Sequence, residues 1–151
     1  MDCASSLLVA TGSVTCAIPI EHVSETMRPL PVEPIGAVPS FVLGLAIIRG
    51  SPIPVVDLQS AMGLGRAEAP SRFVVLRIGQ RRVALAVGAV IGIRELDRAF
   101  VDATPPLLRD ARADVVEAIG VLDAQLLFLL RASRLLPEET WQKVLSREAS
   151  P

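Results

Sequence analysis

The sequence predicts an all-β protein, a barrel or sandwich of short strands that ends in one short helix. Runs of strand length, apolar or alternating, are separated at close intervals by turn residues, which is typical of such folds. Hydrophobic residues make up 51% of the 151 residues and aromatic residues only 3%, so the core must be aliphatic. A faint internal repeat lays Leu7–Met27 on Val74–Arg94 and Gly44–Leu64 on Gly120–Leu136. This repeat favours a single domain built from two similar small barrels.

The first forty residues predict a hairpin followed by a stiff connection. Leu7–Ala10 and Val14–Ile20 predict two strands joined by a glycine-containing turn. Cys16 shares the alternation of the second strand, so we expect a buried thiol there. His22–Met27 predicts a short irregular or helical turn. The four prolines between Met27 and Pro39 predict an extended surface connection, because proline fixes φ and lacks a donor.

A second hairpin is predicted in the middle of the chain. Phe41–Ile48 and Ile53–Val56 predict its strands, and Arg49–Gly50 predicts the bend between them, since glycine tolerates positive φ. Pro54 cannot donate a hydrogen bond to a sheet, so we expect it at a sheet edge or at the start of its strand. From the residues alone, Arg49 is interpreted as a solvated turn residue.

A short helical turn is predicted directly behind this hairpin. Asp57 is a candidate N-cap for the turn Leu58–Met62, because its side chain can accept a hydrogen bond from the first backbone donors. Gly63 is suited to close the turn in a left-handed conformation.

The second half predicts further strands and the C-terminal helix. Gly88 and Gly92 predict bends or bulges in an apolar run, and Arg94–Arg98 predicts a solvated face or loop. Exposed segments are predicted at 104–114. Pro137–Leu145 predicts a helix with Trp141, Val144 and Leu145 on one face. The remaining predicted strands are Arg72–Ile78, Val83–Val87, Val115–Leu122 and Gln125–Leu130.

No motif in the sequence predicts catalysis or cofactor binding. A phosphate-binding glycine loop, a zinc-protease motif and a nucleophile elbow are all missing from the sequence. His22 is the only histidine, and we expect a surface residue rather than a metal ligand or a catalytic base. Two cysteines do not make a metal-binding set. The sequence therefore predicts a protein that is not an enzyme and that binds no cofactor and no metal.

Charge and hydropathy exclude two other classes of partner. The formal net charge is −1 and the pI about 5.8, which argues against nucleic acid, since phosphate neutralisation needs clustered positive charge. No stretch is apolar enough to cross a bilayer. Cys3–Ile20 is uncharged but lacks a basic start and is interrupted by polar residues, so we do not interpret it as a signal peptide. We expect a cytoplasmic protein without direct membrane insertion.

An ordered set of short motifs runs along the chain: Val23-Ser24-Glu25, Leu30-Pro31, Val38-Pro39, Gly44, Arg49-Gly50, Pro54-Val55-Val56-Asp57-Leu58, Gly63-Leu64 and Leu135-Leu136. In order and spacing it resembles the CheW-like domain family, the coupling adaptors of bacterial chemosensory systems and the regulatory domains of their kinases. The resemblance covers about Leu7 to Leu145. It implies a single CheW-like domain over residues 1–151, made of two intertwined SH3-like five-stranded barrels with a short C-terminal helix.

The resemblance also implies partners and site residues. It implies an adaptor that couples the cytoplasmic tips of transmembrane chemoreceptors to the regulatory domain of a CheA-type histidine kinase, recruited to membrane-associated receptor arrays. The residues that match receptor-binding positions of the family are Arg49, Val23, Glu25 and Gly44, and an Arg49–Glu25 ion pair would fix the arginine. The residues that match its structural motif are Gly50, Pro54, Asp57 and Gly63.

Two departures from the family pattern lie in the second half of the chain. Gly88 stands where the family usually has an aspartate, and Arg131 stands where it usually has an acidic or polar residue. They bear on second-barrel or kinase-facing contacts more than on receptor-facing ones. One alternative is therefore a divergent CheW-like scaffold of a pilus-motility or other signalling pathway outside chemotaxis. Another is a small-ligand-binding β-barrel, which would need an internal void, whereas an adaptor needs two separate exposed apolar patches.

Overall fold

The computed structural model describes residues 3–66, 69–97, 101–103, 115–123 and 125–149. The strands there are β1 (Cys3–Thr11), β2 (Val14–Pro19), β3 (Val23–Met27), β4 (Val42–Ile48), β5 (Ser51–Asp57), β6 (Arg72–Ile78), β7 (Arg81–Val87), β8 (Ala89–Asp97), β9 (Val101–Ala103), β10 (Val116–Leu122) and β11 (Gln125–Leu130). The helices are α1 (Leu58–Ala61) and α2 (Glu138–Ala149), and 3₁₀ turns lie at Ile20–His22 and Ala132–Arg134. The prediction of an all-β fold with a C-terminal helix is confirmed.

The strands form two sheets, which we name by the part of the chain that builds them. The middle sheet has the order β3-β6-β7-β5-β4, and the terminal sheet has the order β8-β1-β2-β11-β10-β9. Each sheet joins two antiparallel hairpins by one parallel contact, β5–β7 or β2–β11. After the β1–β2 hairpin the chain crosses to pair β3 with β6, and after the β6–β7 hairpin it crosses back to pair β8 with β1. Two intertwined five-stranded units are thus confirmed, and β9 adds a sixth strand to the terminal sheet.

The first part of the internal repeat is visible in the strand registers. Both exchanged strands carry a one-residue bulge, at Ser24 on β3 and at Ile91 on β8. These two residues coincide when Leu7–Met27 is laid on Val74–Arg94, as the sequence predicted. The bulge therefore belongs to the repeated pattern, and it re-aims the strand in both copies.

The second part of the repeat needs a different alignment from the predicted one. The β4–β5 pairing shifts between Val42 and Gly44, and the β10–β11 pairing shifts between Val116 and Ala118. Gly44 is therefore equivalent to Ala118, and its predicted pairing with Gly120 was wrong by two residues. Glycine identity was the signal in the sequence, whereas hydrogen bonding between the strands sets the actual register.

Buried side chains form three clusters. The cluster between the sheets includes Leu7, Val9, Cys16, Ile18, Val56, Val74, Leu76, Val83, Leu85, Phe128 and Leu130. The inner face of the middle sheet holds Ala46, Ile48, Ile53, Val55, Phe73, Val75, Ala84 and Ala86. The inner face of the terminal sheet holds Leu8, Ala17, Leu96, Leu127 and Leu129. Successive side chains alternate between the faces of a strand, so the central strands need apolar residues at nearly every position.

The segment predicted as an irregular or helical turn forms β3. Only its beginning is helical, as the 3₁₀ turn Ile20–His22. From Val23 to Met27 half-buried and exposed residues alternate, and the strand is stabilised by pairing with β6, which is far away in sequence. The prediction was wrong because the pairing is non-local. β8 continues to Asp97, so the charged residues form part of a strand and not a loop, and Arg94 and Glu95 are exposed on it, as the predicted solvated face requires.

Pro54 lies in the middle of β5, an interior strand by the strand order, but it precedes the first residue that pairs with β7, so the strand edge beside it is locally open, as expected. Ser51 pairs with Ile48 across a two-residue turn, and hydrogen-bonded pairs alternate along an antiparallel ladder. Pro52 and Pro54 thus occupy positions that do not bond to β4, and their nitrogens face β7. The pairing of β5 with β7 covers only Val55–Asp57. Proline is tolerated because this part of the strand needs no donor.

Other expectations for the fold are confirmed where the structure describes the chain. Cys16 is fully buried on β2, and burial raises the pKa of its thiol to about 12. Helix α2 begins directly after Pro137 and buries Trp141 and Val144. β9 was not predicted. The expected exposed segments at 104–114 lie outside the described residues.

Candidate functional site

The β4–β5 hairpin turns at Arg49 and Gly50, which we call the Arg49 tip. Both residues have left-handed backbone angles, with φ of 54° and 80°. Positive φ at both positions of a two-residue loop is the geometry of a type I′ turn. Asparagine and glycine adopt it readily, but the left-handed conformation costs other residues roughly 1–2 kcal/mol. Arg49 therefore holds a strained backbone conformation while its side chain is exposed.

Arg49 forms an ion pair with Glu25 on β3. Arg49 Nε lies 3.2 Å from Glu25 Oε2, and Arg49 Nη2 lies 2.9 Å from Glu25 Oε1. Because β3 and β4 are the two edges of the middle sheet, this contact shows that the sheet is curled until its edges approach. The Arg49 side chain stays 70% exposed. Hydrogen bonds from Arg49 lower the pKa of Glu25 below its ordinary value of 4.5, so the carboxylate stays ionised further into the acid range.

Val23 lies on the same strand as Glu25 but packs in a different part of the core. The bulge at Ser24 separates the two residues, so Val23 pairs with Leu76 and packs against the cluster between the sheets. Glu25 pairs instead with Val75, which belongs to the inner face of the middle sheet. Of these two candidates, Glu25 is the one that forms hydrogen bonds with Arg49.

Gly44 lies beneath the proline-rich connection. It has φ of 144°, and a Cβ there would lie 2.1 Å from the carbonyl oxygen of Glu33. The neighbouring Leu45 exchanges two backbone hydrogen bonds with Glu33, at 2.8 and 2.9 Å. Gly44 is buried, so its contribution is to let the connection lie against β4.

The base of the same hairpin is held by Asp57 and Gly63. Asp57 occupies the N-cap position of α1, but its side chain makes no capping hydrogen bond to the helix. Its backbone N–H donates to Phe41 O at 2.8 Å, and the residue is buried. Gly63 closes α1 with φ of 77° and donates to Ser60 O at 3.0 Å. The N-cap interpretation therefore holds for the position of Asp57 and not for its carboxylate.

The terminal sheet carries an equivalent turn at Asp123, which we call the Asp123 tip. It connects β10 and β11, and Asp123 is also left-handed, with φ of 51°. Its carboxylate Oδ2 lies 3.5 Å from Nη1 of Arg94 on β8. Both tips thus carry an ion pair from the hairpin turn to the exchanged strand, but the signs of charge are reversed.

An exposed apolar surface lies next to the Asp123 tip. Its side chains are 58–63% exposed and are those of Ile91, Ile93, Val121 and Leu126, which we call the second face. Ile93 adjoins Arg94 in the chain, and Val121 pairs with Leu126 at the end of the hairpin. The Arg94–Asp123 contact brings the strand that carries Ile91 and Ile93 close to the turn beside Val121 and Leu126.

Gly88 marks the crossing from one sheet to the other. Its N–H donates to Ala10 O at 2.9 Å, and a Cβ at Gly88 would lie 3.1 Å from the same oxygen. The hydroxyl of Ser71 donates to the Gly88 carbonyl. Gly88, which departs from the family pattern, therefore lies where its backbone closely approaches that of Ala10.

The described residues contain no group of three or more His, Cys, Asp and Glu side chains placed to hold a metal ion. His22 is partly buried, and its Nε2 lies 3.7 Å from Glu21 Oε1. None of the helices in the described ranges has the length and apolar content that a bilayer crossing requires.

Sequence reasoning found the Arg49–Glu25 pair and missed the Asp123 tip and the second face. Ile91, Ile93, Val121 and Leu126 stand in runs that are apolar at most positions, so no alternation marks them as exposed. The usable signal was the repeat itself, which places the Asp123 turn opposite the Arg49 turn. Using it required the corrected alignment of β4 with β10.

Comparisons with known proteins agree with this architecture. The family model described as CheW-like domain matches residues 5–140. The chain is 25% identical to chemotaxis protein CheW of Rhizobium meliloti (strain 1021) over 130 residues, 85% of this chain and 84% of that protein. It is 32% identical to protein FrzA of Myxococcus xanthus over 131 residues, 83% of this chain and 80% of that protein. The scaffolding protein TtCheW from Thermoanaerobacter tengcongensis has the same fold, with a TM-score of 0.76, 22% identity and coverage of 87% and 86%.

Proposed function

The chain belongs to the CheW-like domain family of scaffold and adaptor proteins, and we propose that it couples two other proteins in a bacterial chemosensory pathway. The proposed partners are the cytoplasmic tip of a chemoreceptor and the regulatory domain of a CheA-type histidine kinase. The adaptor acts by binding alone, in the cytoplasm, at membrane-associated receptor arrays.

One observation carries the proposal: the molecule presents two separate exposed surfaces on two different sheets. The Arg49 tip belongs to the middle sheet, and the second face belongs to the terminal sheet. An adaptor must hold two partners at once, which requires surfaces that do not overlap. Exposed apolar side chains grouped beside an ion pair are typical of protein-binding surfaces.

The Arg49 tip is the proposed receptor-facing surface. Its arginine is exposed and is held in one direction by two hydrogen bonds to Glu25. An oriented guanidinium offers donors with little further loss of side-chain freedom, and arginine is enriched among residues that dominate binding. Gly44 and Val23 lie behind this surface. Gly44 lets the proline-rich connection lie against β4, and Val23 packs against the cluster between the sheets.

The second face is the proposed kinase-facing surface. Its four aliphatic side chains are more than half exposed, and they flank the Arg94–Asp123 pair. Burying aliphatic surface contributes about 25 cal/mol per Å², so such a patch suits a partner with its own apolar patch. This assignment is independent of Gly88, which lies at the crossing between the sheets.

The alternative pathway remains a second candidate because of one observation. Protein FrzA and chemotaxis protein CheW are both relatives, so family membership does not select the pathway. A scaffold of a pilus-motility or other non-chemotaxis pathway would use the same two surfaces. It would differ in which receptor and kinase bind.

Titration calorimetry tests the proposal with the receptor tip fragment and the kinase regulatory domain encoded in the same cell. Wild type is expected to bind both. Arg49→Ala is expected to weaken receptor binding at least tenfold and to leave kinase binding unchanged. Ile93→Asp is expected to do the reverse, because it places a charge in the apolar patch.

Asp123→Ala is the matched control for Arg49→Ala, since it removes the charged partner at the equivalent turn. It is expected to leave receptor binding intact. Wild-type binding to neither protein would overturn the proposed coupling role. Loss of both interactions in Arg49→Ala, with an unchanged unfolding midpoint, would overturn the assignment of separate surfaces.

A further inference from the structure

A groove lies on the middle sheet beneath helix α2, and neither of the two proposed surfaces uses it. It has a volume of about 290 Å³ and lies between α2, the first half of β5 and the turn from β6 to β7. We call it the Trp141 groove, after the aromatic side chain in its wall. It exists because β5 pairs with β7 only over Val55–Asp57, so the preceding residues of β5 have no neighbour on that side.

The open side of β5 cannot accept an added strand. Pro52 and Pro54 face the gap, and both lack a backbone donor. The gap is therefore suited to side chains of a partner rather than to its backbone. Its wall on this side is apolar, formed by the two proline rings and Ile53.

On the other side of the groove, the Arg81 side chain is held in place by Glu138, which also neutralises its charge. Its Nη1 and Nη2 lie 2.7 and 2.9 Å from the two carboxylate oxygens of Glu138, which also accepts a hydrogen bond from Gln142 at 3.0 Å. The guanidinium carbon lies 5.2 Å from the centre of the Trp141 ring, within cation–π range. This arrangement ties α2 to the start of β7 and keeps the groove formed.

Arg82 is the cation in the groove that is available to a ligand. Its side chain is exposed and forms no hydrogen bond or ion pair within the described part of the chain. Its positive charge also acts through space on Glu25, the partner of Arg49. Arg49 is paired with Glu25 and Arg81 with Glu138, whereas Arg82 has no carboxylate partner among the described residues.

We propose that the Trp141 groove binds a segment of a partner protein through one acidic and one aliphatic side chain. The acidic side chain pairs with Arg82, and the aliphatic side chain packs against Pro52 and Trp141. The excess of positive charge selects a carboxylate, and the volume lies near the lower end of the roughly 300–1,000 Å³ typical of ligand pockets, which suits about two side chains.

The test uses a minimal probe, N-acetyl-Glu-Leu-amide, and follows the indole N–H of Trp141 by ¹H–¹⁵N NMR. Trp141 is the only tryptophan in the sequence, so its signal needs no assignment. The probe is expected to shift this signal saturably in the millimolar range. N-acetyl-Gln-Leu-amide, which has the same shape without the charge, is expected to bind at least fivefold more weakly.

Arg82→Gln is expected to remove this preference for the charged probe. The matched control is Arg72→Gln, an exposed arginine at the opposite end of β6, and it is expected to behave as wild type. Equal binding of the two probes would overturn the proposal. So would a response that Arg49→Ala abolishes and Arg82→Gln leaves unchanged, because it would place the carboxylate at the tip. The assay contains no receptor and no kinase, so its outcome is separate from that of the proposed adaptor role.

Discussion

The Arg49 tip and the Asp123 tip are two versions of one structural unit. Each is a two-residue turn with a left-handed residue, at the end of a hairpin with a bulge at the equivalent position. In each tip, a charged side chain on the turn pairs with an oppositely charged side chain on the exchanged strand, β3 or β8. The middle sheet has the arginine on the turn and the glutamate on the strand, whereas the terminal sheet has the aspartate on the turn and the arginine on the strand.

The difference lies in how well each charge is held. Arg49 and Glu25 make two hydrogen bonds, at 2.9 and 3.2 Å, whereas Arg94 and Asp123 approach only to 3.5 Å. Aspartate tolerates the left-handed conformation better than arginine does. The repeat thus keeps the backbone frame in both halves, and the side chains have diverged into one oriented cation and one loosely paired anion beside an apolar patch.

The largest expected effect concerns the glycine that distinguishes the two hairpins. Gly44→Ala would place a Cβ against the Glu33 carbonyl at a position with φ of 144°, so we expect a loss of about 3 kcal/mol or more in the free energy of unfolding. The reciprocal change Ala118→Gly should cost only about 1 kcal/mol, through backbone entropy. Urea unfolding of the two variants measures the difference, and equal losses would contradict the close approach of the Glu33 carbonyl to Gly44.

Exchanging the charges at the Arg49 tip should make it resemble the Asp123 tip. The double variant Glu25→Arg with Arg49→Glu restores an ion pair of opposite direction, so we expect an unfolding midpoint close to wild type. Receptor-fragment binding should still fall at least tenfold, because the cation has left the turn. The single variant Arg49→Glu should lower both the unfolding midpoint and receptor-fragment binding, since two carboxylates then face each other.

The equivalent exchange at the other tip, Arg94→Asp with Asp123→Arg, serves as the control. It should leave receptor binding within twofold of wild type. A tenfold loss there would mean that the two tips act as one surface.

Backbone strain should differ between the tips by a smaller amount. In a Glu25→Gln background, where the charged pair is already lost, Arg49→Asn should raise the unfolding midpoint by roughly 2–4 °C, because asparagine adopts the left-handed conformation more readily. Asp123→Asn should change the midpoint by less, since aspartate is already suited to the position. Differential scanning calorimetry can resolve this, and a lower midpoint for Arg49→Asn would refute the strain at the Arg49 tip.

The smallest effect is acid sensitivity. Hydrogen bonds from Arg81, and then from Gln142, lower the pKa of Glu138 from 4.5 to about 2, and the pKa of Glu25 shifts in the same direction. A carboxyl group whose pKa is lower in the folded than in the unfolded state contributes its full stabilisation above pH 4.5. This contribution declines as the pH falls towards 2. Glu138→Gln should therefore flatten the fall in unfolding midpoint between pH 5 and about 2, measured by circular dichroism. An unchanged pH profile would show that the Arg81–Glu138 pair contributes nothing to stability.

Local patterns in the sequence were sufficient for most of the strands, the turn at Arg49–Gly50 and helix α2. They were also sufficient to suggest the Arg49–Glu25 pair through the family resemblance, and the structure forms that pair. They failed at β3, whose polar residues become a strand by pairing with β6. They did not reveal that β5 is an interior strand with an open edge beside Pro54, since the strand order is a non-local property.

The sequence by itself determined an aliphatic all-β chain with repeated hairpins, because turn chemistry and strand-length apolar runs act over a few residues. Only the tertiary structure decided which apolar residues stay exposed, which charges meet across the edges of each sheet, and where the groove beneath α2 opens. Strands packed on both faces are apolar at most positions, so their sequence does not distinguish a buried face from a binding face. The exchange of strands between the sheets makes that distinction, and it depends on contacts between residues that are distant along the chain.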